Sequence, residues 1–213
     1  MDSDWFGPAP VLISEAADPK GTVLLMHGQG ADALANAKEL ALLAGAGWNA
    51  VGIDAPEHGR RFDTARDERW AQDEPAALAA HVEQAGAELP DIVDGAEARG
   101  LVGPYALAGI SLGAFSLWRG LGTDERLCTG LPILGSPVMP GEPAPAPSQW
   151  KGCRVLAQNA EHDQVVPIGP TEAVVSALGG TLHVIAGSPH RVPELEWWAL
   201  WGRALSWLDQ TNR

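Results

Sequence analysis

The chain is poor in cysteine, in positive charge and in long apolar runs, and each shortage closes off a class of protein. Among its 213 residues only Cys128 and Cys153 are cysteines, and they lack C-x-x-C spacing. Both lie in apolar, strand-like runs, so buried reduced thiols are expected, with a disulfide between them as the open alternative. The 14 Lys+Arg residues against 27 Asp+Glu give a net charge of −13. Such a field repels phosphate backbones and anionic lipid surfaces, so neither nucleic acid nor a membrane surface is expected as a partner. No stretch reaches the roughly 18 consecutive apolar residues of a membrane span. The opening MDSDWFGPAP carries neither a basic leader nor an apolar segment of signal-peptide length, and a cytoplasmic protein is expected. Neither G-x-G-x-x-G nor G-x-x-x-x-G-K-[ST] occurs, which removes the usual phosphate-binding signatures.

What is present is a folded globule, 46% hydrophobic and 19% charged, of a length that suits one domain over residues 1–213. Short Val-, Leu- and Ile-rich runs alternate with longer stretches of helical periodicity. The strand candidates are Val11–Ser14, Thr22–His27, Ala50–Asp54, Tyr105–Gly109, Gly130–Leu134, Arg154–Asn159 and Leu182–Ala186. The helix candidates are Leu34–Ala46, Pro75–Glu97 with a break at Pro90, Leu112–Leu121, Thr171–Leu178 and Pro193–Leu208. This alternation predicts a doubly wound α/β fold, a mostly parallel sheet of about seven strands with helices on both faces. Glu57–Glu74 reads as a charged loop, and Pro137–Pro147, with five prolines in eleven residues, as a stiff loop crossing one end of the sheet.

One junction concentrates the chemistry. In "LAGISLGAF", Leu107–Phe115, a strand passes directly into a helix with a glycine two residues before and two residues after Ser111. A turn that sharp strains its central residue and leaves no room for side chains on its neighbours, so Ser111 is expected at the tip of an elbow, at a helix N-terminus that favours developing negative charge. A serine hydroxyl needs a base to take its proton and a carboxylate to orient that base. Two later strands end in suitable loops, "AEHDQVVP" with Asp163 and "GSPHRVP" with His190. In "LLMHGQGAD" the glycine turn around Gln29 lets a backbone N–H there face the serine and act with that of Leu112 as an oxyanion hole.

The pieces "HGQG", "GIDAPEHGRR", "GISLGA", "EHDQVVP" and "SPHRVP" resemble the α/β-hydrolase superfamily, in particular its small serine esterases of the carboxylesterase and dienelactone-hydrolase-like branch. They span His27 to Pro193, most of the chain. The order Ser111, Asp163, His190 is that of the family. The resemblance implies nucleophile, acid and base in those roles, Gln29 and Leu112 as oxyanion donors, no metal or organic cofactor, and a small-molecule ester substrate. Dienelactone hydrolases proper use cysteine at the elbow, and the serine here favours an ordinary ester. Only 52 positions separate Ser111 from Asp163, too few for a large cap domain. The same triad also serves thioesterases, amidases and cofactor-free perhydrolases, and a non-catalytic binding protein is the reading of another class.

The remaining polar candidates have ordinary alternatives. His58 and Arg60, with Arg61, sit on a loop expected to border the site, as binders of a substrate carboxylate or as solvated surface charge. His27, His81 and His183 are expected to be structural hydrogen-bonders, with His27 supporting the oxyanion turn. Glu161 is the reserve for Asp163. The consecutive Glu161, His162 and Asp163 point in different directions and do not suit a metal. In the terminal "WWALWGRALSW", Trp198, Trp201, Leu205 and Leu208 recur at helical spacing and should pack on the sheet, with a homodimer interface as the second use of such aromatic surface.

Overall fold

The computed structural model describes residues 1–211. Eight strands form one sheet: β1 (Asp2–Phe6), β2 (Ala9–Ser14), β3 (Thr22–Met26), β4 (Asn49–Ile53), β5 (Tyr105–Ile110), β6 (Thr129–Ile133), β7 (Arg154–Ala160) and β8 (Thr181–Ile185). Their spatial order is β1-β2-β4-β3-β5-β6-β7-β8. The pairs β1/β2 and β2/β4 are antiparallel and the rest parallel. The helices are α1 (Ala37–Gly45), α2 (Arg66–Gln72), α3 (Glu74–Ala87), α4 (Leu89–Ala98), α5 (Leu112–Gly120), α6 (Ile168–Leu178) and α7 (Glu194–Thr211).

Apolar residues cover the sheet on both faces, as the continuous apolar strands require. On one face Leu89, Ile92 and Val93 of α4, Leu117 and Trp118 of α5 and Val174 and Val175 of α6 pack against Leu24, Val51 and Leu107. On the other, Leu40 and Leu43 of α1 and Leu200, Trp201, Ala204 and Leu208 of α7 pack against Val23, Leu25, Ala106 and Leu131. The terminal stripe therefore does face the sheet, with Trp201 and Leu208 fully buried and Trp198 and Leu205 on its margin.

Three expectations need correction. An eighth strand, β1, precedes the seven read from the sequence. Its residues DSDWF are mostly exposed because it is an edge strand, so they lack the apolar run by which the others are recognised. The Pro75–Glu97 helix is two helices, and the break falls at Glu88; Pro90 lies in the first turn of α4, where its missing N–H costs nothing. The Glu57–Glu74 loop contains α2, whose one buried residue is Trp70.

Candidate active site

The sheet register brings the C-terminal ends of β3 and β5 side by side, with Met26 opposite Gly109, and sets β6 on the other flank of β5, with Ile133 opposite Ile110. The residues that leave these strands must share a small volume. Ser111 sits at the crossing with φ +52° and ψ −111°, a conformation sparsely populated by residues with a Cβ. Its N–H donates to the Ile133 carbonyl at 2.8 Å, which pins the elbow to β6.

The flanking glycines answer to sterics. A Cβ on Gly109 would lie 2.2 Å from the Gly113 carbonyl oxygen, and a Cβ on Gly113 would lie 2.4 Å from that of Met26 on β3. Both obstacles are backbone, so neither can rotate away. The elbow is closed only because both positions lack side chains.

At the tip, Ser111 Oγ is 3.0 Å from His190 Nε2, and His190 Nδ1 is 2.6 Å from Asp163 Oδ2. Asp163 comes from the loop after β7 and His190 from the loop after β8. The other Asp163 oxygen, Oδ1, accepts the N–H groups of Val165 at 2.9 Å and Val166 at 2.8 Å, and the carboxylate side chain is fully buried. With a carboxylate at Nδ1, the imidazole carries its proton there, and Nε2 is left to accept from the serine hydroxyl. Glu161, the reserve acid, is otherwise engaged, accepting the Gly187 N–H at 2.7 Å.

The turn after β3 lies against the serine, since a Cβ on Gly28 would sit 3.7 Å from that of Ser111. His27 is buried beneath it. Its Nδ1 meets the Gly28 carbonyl at 2.8 Å and its Nε2 accepts the Ala55 N–H at 3.1 Å, which fixes the tautomer with the proton on Nδ1. Burial, followed by the neighbouring His58, pushes this imidazole below its usual range, so it stays neutral. In a trans peptide the C=O and N–H are opposed, so tying the Gly28 carbonyl to His27 turns the Gln29 N–H the other way. Leu112 opens α5, and its N–H is among the first-turn donors that have no acceptor within the helix.

His58 is buried, whereas Arg60 is exposed and anchored to the fold by its guanidinium. His58 is 3% exposed, with Nδ1–H donating to the Pro56 carbonyl at 2.8 Å. Arg60 donates through Nε to Asp54 at 3.1 Å and through Nη2 to the Val11 carbonyl at 2.9 Å, while Arg61 forms a two-pronged pair with Glu88 at 2.6 and 2.7 Å. His81 departs from the expectation of a structural hydrogen-bonder. It is buried on α3 with neither ring nitrogen hydrogen-bonded among the described residues, its ring edge-on to His58 at 5.3 Å.

Sequence reasoning missed the part played by Asp54. This buried carboxylate at the end of β4 accepts the Ala33 N–H at 2.9 Å and the Arg60 N–H at 3.1 Å, thereby tying the segment after the Gly28–Gly30 turn to the loop after β4. Burial pushes its pKa upward, but the Ala33 and Arg60 amides and the Arg60 guanidinium outweigh that and hold it below the usual carboxylate range. The signal was in "GIDAPEHGRR", where an acid ending an apolar strand needs a buried partner set.

Two clefts lie in this part of the molecule, and neither is lined by Ser111 itself. One of about 590 Å³ opens on His190 and is lined by Gln164, Val165, Pro189 and Arg191. Another of about 390 Å³ lies between α3, α5 and the proline-rich loop, lined by Val82, Phe115, Trp118, Met139 and Pro143. Among the described residues no group of three or more His, Cys, Asp or Glu is placed to hold a metal ion, and no helix is long and apolar enough to cross a membrane.

This sheet order, with a sharp strand-to-helix turn at Ser111 after the central strand, is the α/β-hydrolase fold, and solved structures of that fold superpose over nearly the whole chain. TT1662 from Thermus thermophilus matches at a TM-score of 0.76 with 23% identity, covering 100% of this chain and 97% of that one. Esterase PE8 matches at 0.69 with 24% identity over 95% and 97%. Est1E from Butyrivibrio proteoclasticus, solved with ferulic acid bound, matches at 0.70 with 14% identity over 97% and 98%. No protein-family model and no curated protein sequence matches the chain.

Proposed function

We propose that the chain is a serine hydrolase that cleaves carboxylic esters of small or medium acyl chain through an acyl-enzyme on Ser111. The observation that carries this reading is the continuous hydrogen-bonded line from Ser111 Oγ through His190 to the buried Asp163, at 3.0 and 2.6 Å. His190 Nε2 takes the hydroxyl proton as Oγ adds to the ester carbonyl. The N–H groups of Gln29 and Leu112 receive the developing oxyanion, and loss of one such donor typically costs about 10²–10³ in rate. His190 then protonates the leaving alkoxide, and activates a water that releases the acid by the reverse sequence.

Only 52 positions separate Ser111 from Asp163, which leaves no room for a large cap domain, and an open site suits small or medium acyl chains. Solved structures named as esterases share the fold, in agreement with this activity. The test is intact mass after a fluorophosphonate, with p-nitrophenyl acetate, butyrate and octanoate turnover in parallel. A single adduct at Ser111, turnover that favours the shorter esters, and loss of both in Ser111→Ala are expected. A folded protein without an adduct would overturn the proposal, and turnover surviving in Ser111→Ala would move the nucleophile elsewhere.

A further inference from the structure

The chain's two cysteines stand side by side at the end of the sheet remote from Ser111. Cys128 immediately precedes β6 and Cys153 immediately precedes β7. The parallel register pairs Thr129 with Arg154 and Gly130 with Val155, and one step back it sets Cys128 opposite Cys153. The Arg154 N–H donates to the Cys128 carbonyl at 2.8 Å, so the ladder is intact at that step. Residues opposite one another in a parallel pair project to the same face, across strands about 4.8 Å apart. That spacing lies within the roughly 4.4–6.8 Å of Cα separation over which a disulfide closes without moving the backbone.

The surroundings suit a bond as well as two thiols. Both cysteines are free and half-buried. Cys153 packs on the apolar cluster, and the position facing its sulfur is Gly122, where a Cβ would come within 3.2 Å of Sγ. Burial, and then the hydrogen bond with Cys128, push the Cys153 thiol up to about 12. It is therefore protonated at neutral pH, which places the first exchange on its neighbour.

We propose that Cys128 and Cys153 form a reversible dithiol–disulfide site, oxidised by a low-molecular-weight disulfide, that staples the base of the segment carrying the proline-rich loop. In the first step Cys128 Sγ displaces one thiol from the reagent and takes its other half as a mixed disulfide. Cys153 Sγ, giving up its proton, then attacks Cys128 Sγ and expels the second half as a thiolate, which takes a proton to leave as the thiol. The protein loses two hydrogens, and the reagent disulfide is reduced to two thiols. Residues 128–153, including all of Pro137–Pro147, become a closed loop, which constrains the unfolded chain.

The test incubates the reduced full chain with oxidised glutathione, blocks the remaining thiols with N-ethylmaleimide, and reads intact mass, the linked peptides and the melting midpoint. The wild type is expected about 2 Da lighter, with neither glutathione nor maleimide attached, and its midpoint raised by on the order of 5 °C over the reduced form. In Cys153→Ser the glutathione adduct on Cys128 has no resolving thiol and should persist. A wild type that keeps the adduct, that forms covalent dimers instead, or that takes two maleimides under conditions oxidising the urea-unfolded chain would overturn the site. A bond formed with no rise in midpoint would overturn the stapling. Since the pair sits far from Ser111, Cys128→Ser should leave ester turnover unchanged, so failure here is separable from failure of the esterase reading.

Discussion

Replacing Asp163 with asparagine tests whether the hydrogen-bonded line acts as a base relay. The substitution keeps size and shape, and the fixed contacts dictate how the amide must lie. Oδ1 accepts two backbone N–H groups, from Val165 and Val166, so the amide oxygen stays there and the NH₂ turns toward His190. A donor now faces Nδ1, 2.6 Å away in the native chain, and the imidazole must move its proton to Nε2 to accept it. Nε2–H cannot take the proton of Ser111. In serine hydrolases this inversion costs about 10⁴ in kcat, or about 5.5 kcal/mol of transition-state stabilisation. The assay is p-nitrophenyl butyrate turnover, with urea unfolding to establish that the variant folds. Asp163→Asn should lose kcat with little change in KM, and Glu161→Gln should retain activity. A folded Asp163→Asn within tenfold of the wild-type kcat would refute the tautomer argument.

Three further outcomes follow from packing and charge. Gly113→Ala drives a Cβ to 2.4 Å from the Met26 carbonyl oxygen, and should destabilise the fold by about 3 kcal/mol, read as a lowered urea midpoint at unchanged slope. Asp54→Asn weakens charge-assisted hydrogen bonds to Arg60 and should cost about 2 kcal/mol by the same measurement. His27, His58 and His81 all have folded pKa values lowered primarily by burial, that of His81 to about 3. The unfolded chain therefore binds more protons, so stability is level above about pH 6.5 and falls as the pH drops below it, by up to about 1.4 kcal/mol per pH unit per histidine. His81→Phe should flatten that slope between pH 6.5 and 4.5 by about one proton; an unchanged slope in thermal melts would show that His81 does not contribute.

The legible parts of the fold are those in which one physical cause dominates. β3, β5 and β7 are buried strands, and burial writes itself as an apolar run; α7 covers one face, and its stripe shows at helical spacing. β1 is an edge strand paired in the sheet with β2 alone, so most of its residues answer to solvent, and only the Gly7-Pro8 turn between the two strands marks it. α2 carries RDERWAQ, in which a single buried Trp70 gives no periodicity to read. The break between α3 and α4 falls at Glu88, two residues before Pro90, because a proline is tolerated within a first turn and announces a helix start rather than a stop.

The site divides along the same line. Ser111, Asp163 and His190 were readable because each follows a strand, and the C-terminal ends of parallel strands converge. His58, Arg60 and Asp54 were harder to read because they occupy one loop, where composition does not reveal which side chains turn inward. The structure resolves them by need: Asp54 is buried and must be paired, Arg60 supplies the pairing, and His58 closes over the result against His27 at 5.1 Å. That imidazole supports His27, and His27 holds the Gly28 carbonyl. A charged surface loop in the sequence is therefore, in the fold, the underside of the turn that presents the Gln29 amide, and substitutions at Asp54 should reach the chemistry through that turn rather than through contact with substrate.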